Sequence, residues 1–135
     1  MADAKRMLER PLSPHLSIYR PQINMVMSIA HRITGGALYF GTLLLAAWLM
    51  AVATGPKAFD FVNTLFSHPL GKLVLAGYSW ALIHHMLGGI RHMIWDTGRG
   101  LSIGAVNALG WLTIIGSLGL TAALWAGAYA LRGGL

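Results

Sequence analysis

Three long apolar segments constrain the fold of this chain more than any other feature of its sequence. Residues 33–54 and 101–131 contain no charged side chain, and residues 70–94 carry their charges near the two ends. Each segment exceeds the roughly 20 residues that a helix needs to cross a bilayer. Because backbone amides in lipid must be paired within the segment, apolar runs of this length cross as helices. The sequence therefore predicts an all-α membrane protein with three transmembrane helices.

The composition agrees with a membrane protein and excludes several kinds of redox site. Of the 135 residues, 56% are hydrophobic and only 10% are charged, whereas soluble domains are about 25% charged. The absence of cysteine excludes disulfides, cysteine-ligated iron–sulfur clusters and covalently attached c-type haem. The net charge of +6 does not indicate nucleic-acid binding, because the basic residues flank the apolar segments instead of forming a stripe.

The three predicted helices span approximately residues 25–53, 70–95 and 103–131, and together they form a membrane domain of residues 25–135. Residues 1–24 form a leader whose prolines disfavour a helix. Residues 54–69 contain Gly, Pro, Asp and Asn, which favour an exposed loop with a short surface helix. The second connection is short, so the second and third helices are expected to be antiparallel neighbours in an up-down-up order.

The distribution of basic residues predicts the orientation of the helices in the membrane. Most basic residues lie before the first helix, within its start, or near the connection between the second and third helices. The first group is Lys5, Arg6, Arg10, Arg20 and Arg32, the second is Arg91 and Arg99, and the opposite ends carry only Lys57, Lys72 and Arg132. The positive-inside rule then places the N-terminus in the cytoplasm, or in the matrix of an organelle, and the C-terminus outside.

Ionisable residues inside the apolar segments indicate where a functional site lies. A charged side chain in hydrocarbon costs at least ~2.5 kcal/mol, so such residues normally face a protein interior or a cofactor. On the second predicted helix, His85 and Gly89 share one stripe, while His84 and Gly88 share the neighbouring stripe. Imidazole is a common haem ligand, and a glycine one turn away leaves room for a flat macrocycle. Both histidines are therefore candidate haem ligands.

The first predicted helix offers further polar groups at the same membrane face. His31 is expected nearer to the cytoplasmic end than His85, so a six-coordinate haem at His85 would need its second ligand from another polypeptide. Ser28 and Arg32 could bind a quinone carbonyl, and Arg32 or His31 could instead neutralise haem propionates. The alternative for Arg32 is an ordinary positive flank of the helix.

The end of the second helix carries three more polar residues with two interpretations each. Arg91, His92 and Asp96 are expected near the membrane surface. They can contact headgroups or a neighbouring helix without any role in binding, or they can contribute to a site for haem or quinone.

Three motifs in this order resemble the cytochrome b556 subunit of succinate dehydrogenase, the larger of the two membrane anchors of respiratory complex II. They are RPLSPHLSIY in the leader, SIAHRITG at the start of the first helix and HMLGGIRHMIWD at the end of the second. The resemblance implies one haem b, shared with a second small membrane anchor subunit, and quinone as substrate. It also implies a flavoprotein and an iron–sulfur subunit as partners, so that this chain belongs to an enzyme without contributing succinate-oxidising residues.

The resemblance also assigns roles to individual residues. The family pattern is a histidine, three residues and then Gly-Ile-Arg-His, which implies that His85 rather than His84 is the axial ligand of the haem iron. The implied contacts of the haem propionates are His31, Arg32 and His92. The implied quinone site contains Ser28, Arg32 and Asp96.

Two alternative functions remain at this point. A cytochrome b anchor of fumarate reductase, or of another quinone-linked oxidoreductase, would share the haem and the quinone. A haem-free structural anchor or a small transporter subunit would need neither, although polar residues gathered at one membrane face argue against a transport path through the midplane. The weak targeting character of the leader favours a bacterial inner membrane over a mitochondrial one.

Overall fold

The protein is built from helices throughout the part described by the computed structural model, residues 14–131. The elements are a 3-10 turn at His15–Ile18 and four α-helices: α1 Ile23–Thr54, α2 Pro56–Ser67, α3 Pro69–Asp96 and α4 Ile103–Leu131. No strand occurs within this range. The helices α1, α3 and α4 are each long and apolar enough to cross a membrane. The prediction of an all-α protein with three candidate membrane helices is confirmed. Residues 1–13 of the leader, with Lys5, Arg6 and Arg10, and Arg132 lie outside the described residues.

Short breaks separate the helices where the sequence supplies glycine and proline. Gly55 has a positive φ of 127° between α1 and α2, a conformation that residues with a Cβ rarely adopt. Pro56 and Pro69 open α2 and α3, where the missing proline N–H has no helical partner to lose. The expected surface helix is therefore present as the 12-residue α2, and α1 starts two residues before Met25.

The helices α1 and α3 are antiparallel. His31 of α1 contacts His85 of α3, whereas Gly41, later in α1, lies against Tyr78, earlier in α3. The helices α3 and α4 are also antiparallel. At the start of the bundle, Asn24 of α1 donates to Asn107 of α4 across 3.2 Å.

The interior of the bundle is small and polar, whereas large apolar side chains face outward. Only three hydrophobic side chains are fully buried among the described residues: Met27, Ala51 and Ala81. The buried polar residues outnumber them, namely Thr34, His84, Arg91, Thr113 and Ser117. Phe40 and Met50 are instead about 70% exposed (68% and 70%). This distribution is expected where lipid or a neighbouring membrane subunit covers the outer surface. Because lipid is as apolar as leucine, small and polar residues rather than large apolar ones drive the packing of the helices.

Gly71 provides a test of how α2 packs on α3. A Cβ at Gly71 would overlap the carbonyl oxygen of Leu65 and lie 2.8 Å from the Cα of Phe66, so backbone atoms would have to move. Gly71→Ala is therefore expected to cost about 1–3 kcal/mol of stability and to lower the Tm of the purified protein. Gly77→Ala, in the same helix with open space around its position, is the matched control. Equal Tm values for the two variants would contradict the packing of α2 on α3.

Candidate functional site

His84 and His85 are adjacent in α3 but face different neighbours. The helical rotation of about 100° between consecutive residues turns one ring towards α4 and the other towards α1. His84 is 2% exposed, and its Nδ1 lies 3.1 Å from Oγ of Ser117 in α4. The Ser117 hydroxyl donates its own proton to the Ile114 carbonyl at 2.9 Å. Oγ therefore accepts a proton from Nδ1 of His84, and this hydrogen bond links α3 to α4.

The ring of His85 is held against the backbone of α1. Its Nδ1 lies 3.1 Å from the carbonyl oxygen of His31. Because a carbonyl only accepts, Nδ1 carries the proton of the neutral ring and the lone pair remains on Nε2. Such a bond from one ring nitrogen to a carbonyl commonly orients a histidine that binds metal through the other nitrogen. His85 is half-buried, so its ring is fixed without being enclosed by this chain.

Thr34 and Gly35 allow this close approach of His85 to α1. A Cβ at Gly35 would lie 3.0 Å from Cε1 of His85, so a larger residue would push the ring away from the helix. Thr34 is buried, and its hydroxyl donates to the carbonyls of Ala30 and His31 at 2.9 and 3.0 Å. Its Oγ1 also lies 3.4 Å from Nδ1 of His85. Thr34 and Gly35, which are not candidate ligands themselves, therefore determine how closely the His85 ring approaches α1.

The two glycines that follow the histidines by one turn have different surroundings. A Cβ at Gly88 would collide with the imidazole of His31, so the space beside Gly88 is used for packing α1 on α3. A Cβ at Gly89 would meet nothing within 4 Å. The sequence leaves the His84–Gly88 stripe and the His85–Gly89 stripe as alternative haem sites. Only the His85–Gly89 stripe keeps the free surface that a flat macrocycle needs.

The expected difference in depth between His31 and His85 is wrong. Their rings stack with centroids 4.0 Å apart and planes 3° from parallel. His31 and His85 lie at the same level of the bundle, because α1 and α3 pack with the His31 carbonyl 3.1 Å from the His85 ring. The two rings still cannot bind one iron from opposite faces. The lone pairs of imidazole lie in the ring plane, so parallel stacked rings direct them side by side and not towards a shared atom between them.

The remaining predicted site residues lie around this histidine pair with their side chains exposed. Ser28 and Arg32 are exposed on α1, and Asp96 is exposed as the last residue of α3. His92 is also exposed, with its ring 5.2 Å from that of His31. The structure thus brings His92 close to the stacked pair and leaves Ser28, Arg32 and Asp96 uncovered by the described part of this chain.

Arg91 is buried, which agrees with its interpretation as a contact to a neighbouring helix and not with a contact to lipid headgroups. Its side chain is 3% exposed and lies over the Trp95 ring, with Cζ 5.0 Å from the centroid. Nε and Nη1 have no hydrogen-bond partner among residues 14–131. A Cβ at Gly110 of α4 would lie 3.9 Å from Nη1, which places the guanidinium between α3 and α4. The guanidinium therefore packs within the bundle, and no pattern in the sequence indicates this burial.

The buried bond between His84 and Ser117 predicts a measurable contribution to stability. Ser117→Ala leaves Nδ1 of His84 without an acceptor and is expected to cost about 1–3 kcal/mol, seen as a lower Tm. Thr121→Ala is the control, because the Thr121 hydroxyl bonds only the Ser117 carbonyl within its own helix. Combining Ser117→Ala with His84→Leu is expected to restore much of the loss, since both polar partners are then removed. A double variant less stable than Ser117→Ala alone would contradict this pairing.

Comparison with known proteins identifies the family of the chain. A family model of the succinate dehydrogenase/fumarate reductase transmembrane subunit matches residues 6–124. The succinate dehydrogenase cytochrome b556 subunit of Rickettsia felis is 44% identical over 117 residues, 87% of this chain and 91% of that protein. The corresponding subunit of Paracoccus denitrificans is 42% identical over 118 residues, 87% of this chain and 90% of that protein. The mitochondrial cytochrome b560 subunit of Bos taurus is 39% identical over 124 residues, 85% of this chain and 72% of that protein.

These matches confirm the resemblance inferred from the three sequence motifs. They extend it from the motifs to most of the chain, including α1, α3 and the greater part of α4. The chain belongs to the family of succinate dehydrogenase/fumarate reductase transmembrane subunits, with cytochrome b556 subunits of succinate dehydrogenase among its relatives.

Proposed function

We propose that this chain is a membrane-anchor subunit of a succinate:quinone oxidoreductase, that it binds haem b through Nε2 of His85, and that it helps to form the quinone-reduction site. One observation carries the haem assignment. The bond from Nδ1 of His85 to the His31 carbonyl leaves the lone pair on Nε2, and the surface beside Gly89 is open. When bound, the haem supplies a one-electron redox centre at the boundary between subunits.

A further ligand of the haem iron would come from the smaller membrane anchor. His31 is already stacked on His85, and His84 faces α4 on the other side of α3. Neither ring can therefore approach an iron atom at His85 from the opposite face. The half-buried position of His85 is consistent with a haem held between this chain and a second subunit. His31, Arg32 and His92 would supply the positive or donating groups for the propionates, and the rings of His31 and His92 lie 5.2 Å apart.

The quinone site uses the exposed polar face at the start of α1. Ser28 and Arg32 are separated by one turn and present a hydroxyl and a guanidinium on a surface that residues 14–131 do not cover. Such donors stabilise the negative charge that develops on a quinone oxygen during reduction. Asp96, exposed at the end of α3, belongs to the same site, which is completed by the iron–sulfur subunit. Succinate is oxidised at the flavoprotein, outside this chain.

The helices cross a bacterial inner membrane in an up-down-up order, with the N-terminus inside and the C-terminus outside. The exposed basic residues Arg20, Arg32 and Arg99 lie at the end of the bundle where α1 begins and α3 ends, and the positive-inside rule supports an orientation with this end inside. The soluble flavoprotein and iron–sulfur subunits would then dock at the end that carries the histidines. Fumarate reductase anchors belong to the same family, so an anchor working in the reverse direction is the second candidate. A haem-free anchor or transporter subunit has no comparable support.

The haem assignment predicts opposite outcomes for the two adjacent histidines. In the purified complex, His85→Ala is expected to remove or strongly weaken the reduced-minus-oxidised spectrum of b-type haem, because the iron loses its ligand. His84→Leu, a buried substitution one residue away, is expected to retain the spectrum. The comparison is made per mole of assembled complex, so a difference in yield does not affect it. Retention of the full spectrum by His85→Ala, or its loss in His84→Leu alone, would overturn the assignment.

The quinone assignment predicts a separation of two activities. Arg32→Ala and Ser28→Ala are expected to reduce succinate:quinone activity by about tenfold or more, since each removes about 1.5–3 kcal/mol of hydrogen bonding to a charged oxygen. Electron transfer to an artificial acceptor that accepts electrons before the membrane subunits should be unchanged. Arg99→Ala, another exposed arginine at the same end, should retain both activities. Equal loss of both activities in Arg32→Ala would contradict a role in quinone binding.

A further inference from the structure

A cavity of about 440 Å³ lies at the end of the bundle opposite to the histidines. All four helices contribute to its walls, and it sits where α1 ends and α3 begins. Its volume is in the range of small-molecule binding sites, roughly 300–1,000 Å³. None of the residues assigned to haem or quinone lines it, so it is separate from the site described above.

Much of the lining of the cavity is apolar. Leucines from α1, α3 and α4 contribute to it, namely Leu44, Leu45, Leu75 and Leu124. Trp48 of α1 and Trp125 of α4 lie among them. Tryptophan with aliphatic side chains at the end of a membrane span suits a molecule with a hydrocarbon chain and a polar head. A hydrated polar ligand would leave these walls without favourable contacts.

The rim of the cavity carries hydrogen-bond donors and one charge. Lys72, in the first turn of α3, is the only charged residue in the lining, and no carboxylate accompanies it there. Asn63 and Tyr129 join it from α2 and α4. The side chains of these three residues form no hydrogen bond or ion pair within the described chain, and Lys72 and Asn63 are exposed. The electrostatics of the rim therefore favour an anionic group.

We propose that this cavity binds a phospholipid, with its phosphate at Lys72 and one acyl chain between the leucines and tryptophans. Three observations support this ligand over others. The cation lies at the end of a predicted membrane helix, which is the depth of lipid headgroups. Asn63 and Tyr129 add donors to the same lining, and most of the other lining residues are apolar. A neutral quinone head would leave the lysine without a counter-charge. The proposal does not depend on the haem or quinone assignments.

The test uses the intact purified complex in mild detergent and native mass spectrometry. Phosphatidylglycerol and a diacylglycerol with the same acyl chains are titrated separately, so that the two ligands differ only in the phosphate headgroup. The wild-type complex is expected to bind phosphatidylglycerol about fivefold more tightly than diacylglycerol, the effect of about one lysine near the membrane surface. Lys72→Ala should abolish that difference, and Lys72→Arg should preserve it. Lys57→Ala is the matched control, because Lys57 is exposed on α2 and does not line the cavity.

A second variant tests the apolar part of the cavity. Ala128→Phe places a ring in the space lined by Ala128 and is expected to weaken both lipids at this site by at least fivefold, whatever their headgroup. Should this variant fail to assemble, the comparison between Lys72→Ala and Lys57→Ala decides the question alone. Equal affinity of the wild-type complex for the two lipids would overturn the proposal. So would an unchanged preference in Lys72→Ala, or displacement of phosphatidylglycerol by ubiquinone.

Discussion

The hydrogen bond from Nδ1 of His85 to the backbone carbonyl of His31 is the interaction on which the site depends. It brings α3 against α1, and it decides which nitrogen of the ring keeps its lone pair. The bond forms because α1 has no side chain at Gly35, where a Cβ would lie 3.0 Å from the His85 ring. A backbone acceptor also cannot rotate away, so the orientation of His85 is set by the packing of two helices.

The consecutive histidines have different contacts, because they lie on neighbouring faces of α3. His84 is buried and bonds Ser117, which fixes α4. His85 remains half-buried where α3 meets α1, and its Nε2 is the atom that we propose as the haem ligand. The same difference applies to the glycines, because Gly88 receives His31 while Gly89 borders open space. One helix thereby holds the bundle together and presents a binding surface, and α4 stabilises this surface without contributing to it directly.

The sequence predicts the helices well because long uncharged segments have no other stable form in lipid. Its motifs also identify the family, and the positions of Gly and Pro predict the short helix α2. The expected depth of His31 was wrong because it depends on how far α1 and α3 are offset along their axes, which places the His31 and His85 rings 4.0 Å apart. The burial of Arg91 and the partnership of His84 with Ser117 could not be predicted, since both depend on how α4 rotates against α3. A single sequence carries no direct signal for that rotation.

An experimental structure of the assembled complex with its cofactor would test the central claim most directly. The account predicts density that joins the iron to Nε2 of His85, with Nδ1 within hydrogen-bonding distance of the His31 carbonyl and the macrocycle beside Gly89. The second axial ligand should come from the other membrane subunit. Iron bound to His84, or an iron at His85 bound through Nδ1 with the bond to the His31 carbonyl broken, would contradict the account.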